Sequence, residues 1–189
     1  MVDSPAEPAP SADDDAPDAR TSKGWSAGRI AAVVAVLGMV LFWMWILSGA
    51  PAKQNPDWIS DRTYADALEG RCKALRKDLA ALPQPEDTPT PDARADVIEQ
   101  ANAKVADFVD QIDDGAPTTG SSAKGLQGWI ADWKTYLADR VDYVERLRKD
   151  DGARLYVDKS PLGRPVDETI EIYAQVNRIE DCATPGDIG

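Results

Sequence analysis

Apolar residues follow two kinds of pattern along this chain: one continuous run near the N-terminus and four periodic stretches after it. Residues 30–47 read IAAVVAVLGMVLFWMWIL, with no charge and no strongly polar side chain. At 1.5 Å rise per residue, about eighteen such residues make a helix of about 27 Å, close to the hydrocarbon thickness of a bilayer. The run predicts a transmembrane helix over residues 25–48. Trp25 and the Trp43/Trp45 pair fall near its two ends, where amphipathic rings suit the membrane interface. Ala50-Pro51-Ala52 has the form of a signal cleavage site, so a removed secretory signal is the alternative. The long acidic stretch before the run, and the run's length, favour an uncleaved anchor.

The periodic stretches predict four amphipathic helices. The first covers residues 57–82, with Tyr64, Leu68, Cys72, Leu75, Leu79 and Leu82 on one stripe and Pro83 and Pro85 after it. The second starts at Thr90 as N-cap with Pro91 in the first turn. Its stripe is Val97, Ala101, Val105, Phe108 and Ile112, widened by Ile98 and Val109, and Asp113-Asp114-Gly115 closes it. After a Thr/Ser/Gly loop, the third covers residues 126–149. Leu126, Ile130, Trp133, Leu137, Val141 and Val144 form its stripe, flanked by Trp129, Tyr136 and Tyr143. Residues 155–157 are extended, without a partner strand in the pattern. The fourth helix covers residues 166–181, through Val166, Ile170, Tyr173 and Val176, and ends at Cys182.

The expected fold is therefore all-α: one N-terminal transmembrane helix, then an antiparallel four-helix bundle-like exterior domain stapled by one disulfide. Residues 1–24 form an acidic cytoplasmic tail, 25–48 the membrane helix, 49–57 a juxtamembrane linker and 58–189 the exterior domain. The tail carries six acidic and two basic side chains among Pro and Ala, too little apolar surface to offset chain entropy, so disorder is expected there. Arg20, Lys23 and Arg29 precede the apolar run closely, whereas Lys53 and Arg62 follow at greater distance. That bias places the N-terminus in the cytoplasm and the domain outside, in the cell membrane as a single-pass protein. Cys72 and Cys182 are the two cysteines, both on the outer side, where an oxidising compartment favours a disulfide between them.

Composition narrows the chemistry. The net charge is -12, which repels phosphate backbones and argues against a nucleic-acid partner. The chain has no histidine, so Ser-His-Asp and Cys-His nucleophile systems and His-based zinc sites are absent. No cofactor-binding or metal-ligating pattern is present. Asp113-Asp114-Gly115 and Asp150-Asp151-Gly152 lack the alternating oxygens and distal Glu of a calcium loop. No enzymatic activity is expected; a carboxylate-pair cell-wall hydrolase is a distant alternative.

Three features carry functional readings. Arg140 falls in the apolar face of the third helix and needs a partner there. Either an acid such as Glu180 pairs with it, or the side chain snorkels to the surface, or it holds an external anion together with Asn177 from the fourth helix. Trp129, Trp133 and Tyr136 are core residues, or else a stacking surface for cell-wall sugars. Ala27, Ala31, Ala35 and Gly38 place small residues along one side of the membrane helix, where a membrane-protein partner or a second copy can approach closely.

The segments DWKTYLADRVDYVERLR (residues 132–148), ARLYV (153–157) and AQVNRIEDCATPGD (174–187) resemble a group of uncharacterised actinobacterial single-pass membrane proteins. The resemblance implies one N-terminal anchor and a Cys-containing helical exterior. It implies no activity and supplies no catalytic residue. The leading functional expectation is a non-catalytic extracytoplasmic interaction or accessory subunit of a membrane or cell-envelope complex. An exterior module binding an anionic or saccharide ligand is second.

Overall fold

The computed structural model describes residues 26–50 and 54–188, and divides into two compact units at Met44/Trp45. The acidic tail, Trp25 and residues 51–53 of the linker lie outside the described residues.

Helix α1 spans Ala27–Leu47, 21 residues without a buried side chain. Its rise is about 31 Å, long and apolar enough to cross a membrane. A signal sequence meets the same criterion.

The second unit is helical, and no strand occurs among the described residues. Helix α2 spans Arg62–Ala80. Asp61 caps it by accepting from the Tyr64 N–H at 3.1 Å, so it starts five residues later than the periodicity predicts. Residues 54–57 turn instead, with Asn55 accepting from the Asp57 N–H at 2.9 Å. Helix α3 spans Pro91–Asp114, with Thr90 accepting from the Ala93 N–H at 3.2 Å and Pro91 in the first turn, as the sequence predicts. Helix α4 spans Ala123–Leu147 and α5 spans Val166–Asn177.

Helix α5 ends four residues earlier than expected. Arg178 adopts a left-handed conformation with φ 56°, and its N–H bonds back to the Ala174 and Gln175 carbonyls. A short 3₁₀ turn at Glu180–Cys182 follows. The extended stretch before α5 closes on itself. Lys159 and Pro165 form an isolated bridge around a turn in which Gly163 takes φ 82°, a value that favours glycine.

Helix α3 packs on α2 and α4, α4 packs on α5, and the Glu180–Cys182 turn packs on α2 and α5. A main core runs through Leu68, Val105, Ile112, Trp129, Trp133 and Ile170, and a smaller cluster joins Ala95 and Ile98 to Tyr143, Val144 and Leu147. Each large apolar side chain buried this way stabilises by roughly 1.5–3 kcal/mol before entropy is counted. The buried face of α4 keeps Leu126, Ile130, Trp133 and Val144 of the predicted stripe and departs from it at Leu137 and Val141. Trp129, Trp133, Tyr136, Arg140, Tyr143 and Leu147 face inward, while Val141 is 47% exposed and Leu137 is only partly buried. From Trp133 onward the inward steps alternate 3 and 4. Two successive steps of 4, as from Trp133 to Val141, drift off the face of a 3.6-residue helix.

Cys72 and Cys182 are bonded, with Cα atoms 5.0 Å apart at a sequence separation of 110. The bond joins α2 to the turn after α5.

Candidate functional site

Arg140 lies on the inward face of α4 and is 0% exposed. Its Nη1 and Nη2 donate to Asp187 Oδ1 and Oδ2 at 2.6 and 2.7 Å, and its Nε donates to Asn102 Oδ1 on α3 at 2.7 Å. The fork-to-carboxylate geometry is the strongest ion-pair arrangement open to arginine. Its Cζ sits 5.7 Å from the Tyr136 ring centroid. Burial by itself disfavours the cation, but the Asp187 carboxylate outweighs burial and raises the guanidinium pKa above its ordinary value. Burial likewise pushes the Tyr136 phenol up, with Arg140 opposing.

The carboxylate is therefore Asp187, not Glu180. The 3₁₀ turn leaves Glu180 exposed and carries the chain on to Arg140. Arg94 Nη2 holds the same residue through its carbonyl at 2.6 Å, and Arg76 holds the carbonyls of Asp181 and Ala183 at 2.7 and 3.0 Å. An internal carboxylate fills the role expected of an external anion.

Asn177, also 0% exposed, belongs to a different network. Its Oδ1 accepts from the Ile59 N–H at 2.7 Å, and its Nδ2 donates to the Asp57 and Tyr173 carbonyls at 3.1 and 3.0 Å. Its own carbonyl accepts from Arg62 Nη1 at 3.0 Å, and Arg62 stacks on Trp58 at 4.7 Å. Asn177 fastens the segment before α2 to the end of α5. The hydrogen-bond partners of Arg140 and Asn177 share no residue, so the anticipated pairing of the two around one anion is not formed.

Trp129, Trp133 and Tyr136 are core residues, not an exposed stacking surface. Trp129 is 2% exposed and stacks on Tyr173 with centroids 5.3 Å apart and planes at 22°. Trp133 meets Phe108, Trp129 and Tyr136 edge-on at 5.3, 6.1 and 5.9 Å. Ala27, Ala31, Ala35 and Gly38 all lie on the exposed α1.

Beside the first turns of α4 and α5 lies a groove of about 710 Å³, which the sequence patterns do not mark. Two glycines of α4 shape it. A Cβ on Gly125 would stand 2.5 Å from Asp57 Oδ1 and 3.1 Å from Asp57 Cα, so glycine lets that loop approach. A Cβ on Gly128 would meet nothing within 4 Å. On the groove wall, Thr169 Oγ1 lies 2.8 Å from Asp132 Oδ2. Burial pushes the Asp132 carboxyl above its ordinary value, with Thr169 opposing.

Six buried side-chain polar atoms lack a partner among the described residues, and three belong to residues lining this groove: Trp129 Nε1, Ser160 Oγ and Tyr173 Oη. Burial, then the Asp57 carboxylate, then Tyr64 push the Tyr173 phenol up. The groove combines carboxylate acceptors and apolar wall, which suits binding a polar ligand. No group of acids or cysteines placed to hold a metal occurs among the described residues.

The signal that could have pointed to the groove, and went unread, is Gly125-x-x-Gly128 inside a helix, where each glycine costs about 1 kcal/mol against alanine. Asp187 carried no signal, because its role depends on where the chain runs after Cys182. No known protein family, no characterised protein and no solved structure matches this chain.

Proposed function

We propose that the chain is a single-pass membrane protein whose exterior helical domain is a non-catalytic interaction or accessory subunit of a membrane or cell-envelope complex. The observation that carries this reading is α1: a 21-residue helix, apolar apart from Arg29 and without a buried side chain, joined to a unit that buries its own core. So much exposed apolar surface on one helix calls for a lipid environment. The Cys72–Cys182 bond supports an oxidising compartment for the domain. The basic residues ahead of α1 support a cytoplasmic N-terminus. The chain of contacts from α2 through α5 supports an antiparallel four-helix bundle.

The small side of α1 at Ala27, Ala31, Ala35 and Gly38 supplies a surface for a membrane-protein partner or a second copy. The test has two arms. Protease added to intact cells is expected to digest the exterior domain and spare an N-terminal tag, and digestion of the tag alone overturns the topology. Purification in mild detergent is expected to retain a stoichiometric partner or dimer that Ala31→Leu with Ala35→Leu releases. A monomer without a partner, unchanged by that double variant, overturns the subunit reading.

A further inference from the structure

We propose that the groove between the first turns of α4 and α5 is a binding site for a neutral oligosaccharide segment. The proposal does not rest on the subunit reading, because every residue it uses lies in the helical domain. A volume of about 710 Å³ falls in the range of small-ligand sites and leaves room for a short oligosaccharide.

The chemistry of the wall selects the ligand. Asp57 and Asp132 line it as carboxylates, which accept hydrogen bonds and take paired hydroxyl donors well. Thr169 occupies one oxygen of Asp132, and the other has no partner among the described residues. Trp129 contributes an N–H that only donates, while Ser160 and Tyr173 contribute hydroxyls that donate and accept. Those three polar atoms are buried and unpartnered, so the polar groups a ligand meets directly in the groove are the two carboxylates. A ligand must therefore present closely spaced hydroxyl donors to these carboxylates, as a sugar ring does.

Between these groups, Gly128, Ala131 and Ile172 give a low apolar wall suited to the C–H face of a pyranose. The open space over Gly128 has no structural use: nothing packs there, and alanine would favour the helix.

Charge and shape disfavour the other classes. Arg164 pairs with Glu168 at 2.5 Å, which leaves Lys124 against two carboxylates, so an anionic ligand meets no excess of positive charge. A peptide would need a free strand edge or a continuous apolar groove. No strand occurs among the described residues, and Asp132 and Thr169 interrupt the apolar wall.

The experiment is calorimetric titration of the full chain in phospholipid nanodiscs, which avoids the sugar headgroups of common detergents. The probes are triacetylchitotriose and maltotriose, with trialanine as the peptide comparison. At least one saccharide is expected to bind saturably below about 10 mM and more tightly than trialanine. Gly128→Leu, which fills the groove from an open helical position, is expected to weaken binding at least about tenfold while the melting temperature holds or rises. Asp132→Asn keeps the shape, removes the carboxylate and is expected to weaken binding likewise. It also serves should the leucine variant fail to fold. No saturable binding by either saccharide overturns the proposal. So does binding that both variants leave unchanged, or tighter binding of trialanine.

Discussion

Where the C-terminal tail lies, every charge that leaves water has a partner: Arg140 forks onto Asp187, Arg94 and Arg76 hold tail carbonyls, and the Cys72–Cys182 bond anchors the tail to α2. Beside the starts of α4 and α5, Trp129, Ser160 and Tyr173 bury polar atoms without one. Both regions sit in one helical unit of similar make-up. Satisfied buried polar groups specify a structure, and unsatisfied ones leave part of it less firmly specified. The sequence attracts attention to Arg140. The comparison moves the search for a ligand to the groove.

The contrast can be broken hardest on the tail side. Replacing Cys72 and Cys182 together by alanine frees a loop of 110 residues and is expected to lower stability by about 4–5 kcal/mol in denaturant unfolding. Asp187→Ala leaves a buried guanidinium without its carboxylate and is expected to cost about 3 kcal/mol, of which Arg140→Met with Asp187→Leu restores most. A double-mutant cycle near zero would make the pair incidental.

The groove side responds more weakly, and in both directions. Gly125→Ala forces a methyl against Asp57 and is expected to cost about 1–3 kcal/mol. Gly128→Ala meets nothing and is expected to stabilise by about 0.5–1 kcal/mol, both read from thermal melting. The smallest effect belongs to Asp132. Its carboxyl is raised in the folded chain, so folding loses stability from this group as pH climbs through the carboxylate range. Asp132→Asn is expected to melt higher than the parent at neutral pH, with the gap closing by about pH 3.

Residues close in sequence made the helices legible. Thr90-Pro91 marks the start of α3, and the 3–4 spacing of Leu68, Cys72, Leu75 and Leu79 marks the buried side of α2. The cysteine pair was legible because both cysteines stood in the portion expected to be oxidised. The α4 face was misjudged at Leu137 and Val141, because two successive steps of 4 from Trp133 drift off the buried side of a 3.6-residue helix. Arg140's burial follows from Asp187, 47 residues further on, and no local pattern encodes so distant a counterion. The groove is written by four separate segments around Asp57, Gly128, Ser160 and Thr169, and only folding places them together.

That 47-residue separation also sets an order of events during synthesis. Helix α4 is complete well before the tail emerges, and until then its inward face carries a cation without a counterion. Docking α4 fully onto α3 before Asp187 arrives would strand that cation in an apolar interface. The domain is thus biased to stay loosely assembled while it is made, and to close only once the tail joins.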